Sequence, residues 1–232
     1  MIDVHTHVLP GVDDGCRTIE QSLDILRGLA DQGITDVICT PHYINETPQT
    51  SPRSYNVKQL SELRAAALEI GINLYIGNEI YIDRDIKKLL KSHRISSLAD
   101  SKYLLVELPM TGEFPDYEDI LLDLKHKGWQ VILAHPERYE TIQSDPAIAK
   151  ELHEQGILLQ CNLGSLVGQY GKEAQKTIKQ LAKDKIIFCF GTDVHRPRDY
   201  SQYGKAIRKL YKFYSGTELN TILVENPSKI VK

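Results

Sequence analysis

The sequence predicts an α/β fold in which a parallel sheet curls into a distorted TIM-like (β/α)7 barrel. Seven short runs rich in Val, Ile, Leu and Tyr are apolar nearly throughout, as strands covered on both faces are. Helical patterns separate most of these runs. Successive strand ends are roughly 30 residues apart, which suits one βα unit each. Seven such units are typical of a closed or nearly closed parallel barrel.

The predicted elements follow one another without an evident linker. The strands are predicted at 2–5, 34–40, 72–77, 103–108, 130–134, 157–161 and 186–191. Thr18 can cap the first helix, and Gly33 lies just past its end. Further helices are predicted at 54–70, 117–127, 146–155 and 172–184. We therefore expect a single domain over 1–232.

Two further segments carry no clear indication of function. The polar stretch 44–56 follows the second strand and is either a lid over a site or a surface loop. The last of the predicted helices carries a stripe of lysines opposite its apolar positions, which is typical of the solvated face of an outer helix. This stripe consists of Lys172, Lys176, Lys179 and Lys183.

Composition and charge exclude several classes of protein. The chain has 28 basic and 31 acidic residues, a formal net charge of −3, so binding through neutralisation of nucleic-acid phosphates is not expected. Four widely spaced cysteines form no C-x-x-C pair, which predicts neither a zinc ribbon nor a disulfide framework and favours a reducing cytoplasm. No export signal and no apolar run long enough to cross a membrane are present, so membrane insertion is not expected.

Side chains that can bind metal ions lie at the ends of six of the seven predicted strands. His5 and His7 alternate along an extended chain, which places both imidazoles on one side. Since catalytic groups of βα barrels lie at the carboxyl ends of the strands, we expect the other such residues to join them there. These are His42, Glu79, Glu107, His135, Asp193 and His195.

The order of these motifs resembles the polymerase and histidinol phosphatase (PHP) superfamily. Within it, the chain is similar to the CpsB/CapC type of manganese-dependent bacterial protein tyrosine phosphatase. The similarity is carried by MIDVHTH at 1–7, VDDG at 12–15, VE at 106–107, HPERY at 135–139 and ENP at 225–227. It therefore extends over essentially the whole chain.

The resemblance implies three divalent metal ions, most commonly Mn, with Fe or Zn as alternatives. It implies a first ion on His5, His7, Glu79 and Asp193, a second on Glu79, Glu107 and His135, and a third on Asp14, His42 and His195. Asp13 is an alternative to Asp14 that spacing alone does not separate. Arg138 and Asp14 are the candidate catalytic residues, and Arg138 and Asn162 are the candidate substrate contacts. For Arg138, an ion pair with Glu137 or Glu140 is the structural alternative.

The implied activity is hydrolysis of phosphotyrosine in proteins by a metal-bound hydroxide. Three divalent ions outweigh the charge of four carboxylates, so the site would attract a phosphate dianion. None of the cysteines is followed six residues later by arginine, which excludes the C-x₅-R loop of cysteine-dependent phosphatases. The implied partner is an autophosphorylated tyrosine kinase of capsule or exopolysaccharide synthesis. The alternatives are a small-molecule phosphatase acting on a substrate such as histidinol phosphate, a PHP-type nuclease and a non-catalytic metal-binding regulatory module.

Overall fold

Nine parallel strands form the centre of the protein in a computed structural model that describes residues 1–112, 116–197 and 202–232. All seven predicted strands are present. The second and third each continue, after a break, in a further short strand that the pattern did not separate. The strands are β1 (Ile2–Thr6), β2 (Asp36–Cys39), β3 (His42–Tyr43), β4 (Asn73–Ile76), β5 (Glu79–Tyr81), β6 (Tyr103–Glu107), β7 (Gln130–Ala134), β8 (Leu158–Asn162) and β9 (Cys189–Gly191).

The strands pair in two groups, ordered β1-β2-β4 and β3-β5-β6-β7-β8-β9. Pro41 separates β2 from β3 because it has no N–H to donate to a neighbouring strand. The ring closes where the chain after β9 returns beside β1. There, the Asp193 N–H donates to the His5 carbonyl (2.8 Å) and the His7 N–H donates to the Val194 carbonyl (3.0 Å). The predicted distorted barrel is confirmed, and the distortion lies at the breaks in its second and third strands.

The five predicted helices are confirmed to within a few residues at their ends. Thr18 caps α1, its side chain accepting from the Gln21 N–H, and Gly33 follows with φ 81°. The remaining helices are short, so they present too few turns to show a helical period in the sequence. The helices are α1 (Ile19–Asp31), α2 (Arg53–Ile70), α3 (Ile86–Lys91), α4 (Tyr117–His126), α5 (Glu140–Ser144), α6 (Ala147–Glu154), α7 (Gly171–Lys183), α8 (Tyr203–Leu210), α9 (Gly216–Asn220) and α10 (Asn226–Ser228).

Buried apolar side chains form two clusters on either side of the strands. The smaller cluster includes Val4, Leu105 and Ile132. Since alternation places Leu105 on the same face of β6 as Glu107, this cluster forms the floor beneath Glu107. The larger cluster packs the outer faces of the strands against the helices. Along the described ranges, no helix combines the length and apolar character needed to cross a membrane.

The stretch 44–56 is a compact turn followed by the start of α2. Tyr43 pairs with Thr50, and the hydroxyls of Thr47 and Thr50 donate to the Ile44 carbonyl at 2.9 and 2.6 Å. These bonds hold the two ends of the turn together. The role of the turn as a lid stays a prediction.

Candidate metal centre

The nine metal-competent side chains meet at the carboxyl ends of the strands. They form four overlapping groups. In each, every residue offers one potential ligand atom, and these atoms lie within 4.8 Å of one another. The groups are His5, His7 and Asp193; His5, Glu79 and His135; His42, Glu79 and Glu107; and His7, Asp14, His42 and His195.

Glu79, at the start of β5, is the centre of the cluster and is buried. Its Oε2 lies 3.2 Å from His5 Nε2, 3.3 Å from His7 Nε2 and 2.9 Å from His42 Nδ1. Its Oε1 lies 2.7 Å from His135 Nε2. One carboxylate therefore touches four imidazoles from three segments of the chain, as a ligand that bridges two ions would.

The tautomers of His5, in β1, and of His7, just after it, test whether this cluster fits metal ions. His5 Nδ1 lies 2.8 Å from Gln160 Oε1, and His7 Nδ1 lies 2.7 Å from Asp13 Oδ2. Both partners are acceptors, so each Nδ1 carries a proton, and the Nε2 atom of each ring is the one turned toward the cluster. The two Nε2 atoms are 3.2 Å apart and face carboxylate oxygens. Imidazole Nε2 atoms and carboxylate oxygens that converge in this way are the donors that divalent ions bind, so the donor set fits such ions.

The pKa shifts of the histidines and acids point the same way. Burial alone would lower the pKa of His5, but the carboxylates of Glu79 and Asp193 outweigh it and raise that pKa. Burial opposes ionisation of Glu79 as well, yet His5 and the other imidazoles hold its pKa well below the usual range. Burial and the neighbouring Glu79 raise the pKa of Glu107 to about 8. Negative charge is thus in excess, and the cluster can accept further positive charge.

His135 is held in the neutral form that metal ligands require. Burial and the nearby guanidinium of Arg138 lower its pKa to about 4. Its backbone is in the left-handed region, with φ 33°, and Asp193 likewise has φ 53°. This backbone conformation is uncommon for residues other than glycine.

The two neighbouring aspartates take different positions. Asp14 Oδ1 lies 3.4 Å from His42 Nε2 and 3.5 Å from His195 Nε2, and the hydrogen bond with His195 lowers the Asp14 pKa to about 2. Asp13 lies behind His7 and accepts the Gly15 N–H at 2.9 Å. A Cβ on Gly15 would come within 2.6 Å of the His7 Cβ, so this turn requires glycine. The geometry favours Asp14 as a ligand and Asp13 as the residue that orients His7.

Arg138 lies at the rim of the cluster. Its Nη1 is 2.8 Å from Asp193 Oδ2, and its guanidinium carbon is 4.4 Å from the centre of the Tyr170 ring. The carboxylate that pairs with Arg138 is thus Asp193, and not Glu137 or Glu140, the two alternatives considered from the sequence. Glu137 is buried and accepts from the Asn162 N–H at 2.9 Å and from the Ser165 hydroxyl at 2.7 Å. Arg138 is therefore directed at the cluster.

Asn162 lies inside the site and has no exposed surface. Its Nδ2 donates to Asp193 Oδ2 at 2.7 Å, and its Oδ1 accepts from Gln160 Nε2 at 2.9 Å. Contact with substrate stays a prediction, whereas these bonds indicate that Asn162 positions Asp193. Gln160 was not singled out in the sequence. The available signal was its place two residues before Asn162, on the same face of β8.

Replacing Gln160 with leucine should lower metal affinity by about tenfold to a hundredfold, because His5 loses the acceptor that holds its ring and tautomer. The measurement is calorimetric titration of metal-free protein with Mn²⁺. Gln130→Leu, at the exposed start of β7, is the control and should bind as the wild type does. Equal affinity in the Gln160 variant would contradict this positioning role.

The four cysteines are buried and unpaired. Burial raises the pKa of Cys16 to about 11 and also raises the pKa of Cys39, Cys161 and Cys189. A thiol nucleophile needs the opposite shift, since the thiolate is the reactive form. None of the four fits that role.

We expect the variant with all four cysteines replaced by serine to keep turnover within about threefold of the wild type, once activity is normalised to folded protein. Phosphatase assays and circular dichroism measure the two quantities. A single Cys→Ser change that abolishes turnover at normal metal content would restore a thiol mechanism to consideration.

Fold and site together define a class: a parallel α/β barrel whose mouth holds a buried cluster of histidines and carboxylates suited to divalent metal ions. The family described as capsular polysaccharide synthesis, CpsB/CapC, matches residues 1–232. The chain belongs to this family, which confirms the resemblance carried by its motifs.

Individual relatives agree with this membership. Tyrosine-protein phosphatase YwqE of Bacillus subtilis is 31% identical over 235 residues, covering 100% of this chain and 92% of that protein. A putative tyrosine-protein phosphatase, CapC of Staphylococcus aureus, is 31% identical over 198 residues, covering 84% of this chain and 77% of CapC. A solved structure from work on YwqE and Streptococcus pneumoniae CpsB, described as unique metal-dependent tyrosine phosphatases, superposes with a TM-score of 0.91. It is 29% identical and covers 100% of this chain and 94% of that one.

Proposed function

We propose that the protein is a metal-dependent phosphatase that hydrolyses phosphotyrosine in proteins. The observation that carries the proposal is the buried cluster of nine histidines and carboxylates with Arg138 at its rim. The names of the related proteins support the same activity.

In this proposal three divalent ions, most commonly Mn with Fe or Zn as alternatives, occupy the cluster. Bound there, they would supply an activated water and neutralise phosphoryl oxygens. The proposed ligands are His5, His7, Glu79 and Asp193 for the first ion, Glu79, Glu107 and His135 for the second, and Asp14, His42 and His195 for the third. Two of the four groups of converging ligand atoms contain most of the ligands proposed for the first ion and all of those proposed for the third. Around the second, Glu79 converges with His5 and His135 in one group and with His42 and Glu107 in another.

The side chains at the rim would receive the phosphate. Arg138 presents a planar fork of N–H donors that matches two phosphoryl oxygens. Asp193 and the Tyr170 ring hold that fork from two sides. The side chains of Asp14, His195 and Arg138 are 55%, 24% and 26% exposed, whereas the other ligands are nearly or fully buried. Phosphate is therefore expected to approach from the side of these three residues.

The sunken cluster favours phosphotyrosine over phosphoserine for two reasons. A phosphotyrosine side chain is longer, so its phosphorus reaches the cluster while the peptide backbone stays outside. A phenol, with a pKa of about 10, also leaves with less help from an acid than an alkyl alcohol does. Glu137, next to Arg138 in the chain, is an acid outside the proposed ligand set, but it is buried and accepts bonds from Asn162 and Ser165. It does not face the rim.

Turnover of three substrates by Mn-loaded protein tests the proposal. We expect kcat/KM for phosphotyrosine peptides to exceed that for phosphoserine peptides and for histidinol phosphate by about tenfold or more. Higher kcat/KM for histidinol phosphate would assign the small-molecule phosphatase alternative. Cleavage of DNA without phosphotyrosine turnover would assign a nuclease, and metal binding without any turnover would assign a regulatory module.

We further propose that the substrate is an autophosphorylated tyrosine kinase of capsule or exopolysaccharide synthesis, encountered in the cytoplasm. The family description supports the first part, and four buried unpaired cysteines support a reducing compartment. Deleting the gene should raise the phosphotyrosine content of that kinase, measured by immunoblotting. Unchanged phosphotyrosine would contradict this choice of partner without bearing on the chemistry.

A further inference from the structure

A groove of about 1150 Å³ runs along the outside of the barrel between α7 and the segment formed by α5 and α6. Its lining includes the lysine stripe of α7, which the sequence pattern had predicted to be an ordinary solvated face. Lys150 of α6 lies across from the stripe. Among the described residues that line the groove, five are lysines and one, Asp184, is acidic.

The α7 lysines of this groove are not neutralised by the protein itself. In the described parts of the chain, no carboxylate lies within 4.0 Å of the ammonium groups of the four α7 lysines, whereas Lys150 is 3.8 Å from Glu154. The positive charge continues onto α8. Partial desolvation and the nearby Lys205, Lys179 and Lys212 lower the pKa of Lys209. In a chain with net charge −3, this is a concentrated basic surface.

The groove begins at the edge of the metal centre. Lys172 follows Tyr170 by two residues, and the Tyr170 ring lies under the Arg138 guanidinium. On the opposite wall, Gln143 donates to the carbonyl of Glu137 at 3.0 Å, next to Arg138 in the chain. From Lys172 to Lys183 the helix extends about 16 Å, the span of about five extended residues. A polypeptide whose phosphotyrosine reaches Arg138 can thus place its flanking residues in this groove.

We propose that this groove binds an acidic stretch of the substrate polypeptide within about five residues of the phosphotyrosine. The inference rests on the proposed phosphatase function and specifies its substrate class. Carboxylates complement the lysines, and a concave groove accommodates an extended chain better than a flat membrane surface. Aromatic side chains, on which nucleic-acid bases would stack, do not occur among the described lining residues.

The test compares two phosphotyrosine peptides of equal length, one flanked by Asp and Glu and one by Ser and Gln, with p-nitrophenyl phosphate as a small substrate. For wild-type protein at low ionic strength, we expect kcat/KM to be about tenfold higher for the acidic peptide. That preference should disappear at about 1 M salt, because charges at the surface are screened. Equal kcat/KM for the two peptides at low salt would overturn the proposal.

The paired variants are Lys172→Gln with Lys176→Gln in the groove, and Lys58→Gln with Lys125→Gln on α2 and α4 as the control. The groove variant should lose about fivefold to tenfold in kcat/KM for the acidic peptide alone. It should keep wild-type kinetics on p-nitrophenyl phosphate, and the control should keep the preference. An equal loss in both variants would mean a general charge effect and would overturn the groove assignment.

Binding of an unphosphorylated, fluorescein-labelled acidic peptide, followed by anisotropy, separates the two proposals. If no phosphate substrate is hydrolysed but the wild type still binds this peptide more tightly than the groove variant does, the proposed function fails and the groove stands. If phosphotyrosine is hydrolysed without a difference in peptide binding, the groove proposal fails alone. Tighter binding of anionic vesicles or single-stranded RNA than of the peptide would reassign the surface.

Discussion

Glu79→Gln should lower phosphatase turnover by about three powers of ten, roughly 4 kcal/mol of transition-state stabilisation. Its two oxygens lie within 3.3 Å of imidazole nitrogens from four histidines, so this one carboxylate joins three segments of the chain at the proposed metal sites. The amide keeps the shape but removes the negative charge and replaces one acceptor with a donor. Two of the proposed ions would lose the anionic carboxylate that they share.

Elemental analysis of the purified variant should show a lower metal content than the wild type, at an unchanged circular dichroism spectrum. The exposed Glu62→Gln on α2 is the matched control and should keep both metal and turnover. Chelation of the wild type should abolish turnover, and Mn²⁺ should restore it. Full turnover after chelation would contradict the metal mechanism itself.

Arg138→Ala should lower turnover by about two to three powers of ten while leaving metal content intact. The guanidinium is the cation directed at the cluster from its rim, and removing one charge contact to a transition state costs about this much. Arg138→Lys should recover only part of the loss, because an ammonium keeps the charge but not the planar fork. Steady-state kinetics on a phosphotyrosine peptide measures both variants.

Metal content decides how the Arg138 result is read. Asn162 and Tyr170 also contact Asp193 Oδ2, at 2.7 and 3.3 Å, so the carboxylate keeps two partners when arginine is absent. Unchanged metal content with low turnover would support a role in binding phosphate. If metal content fell in step with turnover, Arg138 would act by positioning Asp193 instead.

Much of the barrel could be predicted because its signals are local. Seven apolar runs identified the main strands, and five segments with helical periodicity identified the main helices. The Thr18 cap of α1 was also predicted. Most of the candidate ligands could be named too, since they lie at or near the ends of predicted strands, and parallel strands bring their carboxyl ends together. The short helices and the breaks that produce β3 and β5 were not predicted from the sequence. Three to eight residues are too few to establish a hydrophobic period.

By itself, the sequence determined the barrel, the family and the nine side chains that converge at the barrel mouth. Only the tertiary structure decided how these side chains face one another. It separated Asp13 from Asp14, turned Arg138 toward Asp193 instead of Glu137 or Glu140, and placed Gln160 against His5 across 155 residues of chain. The reason is physical: periodicity reports which face of an element is buried, whereas hydrogen-bond partners depend on turn geometry and contacts between distant strands.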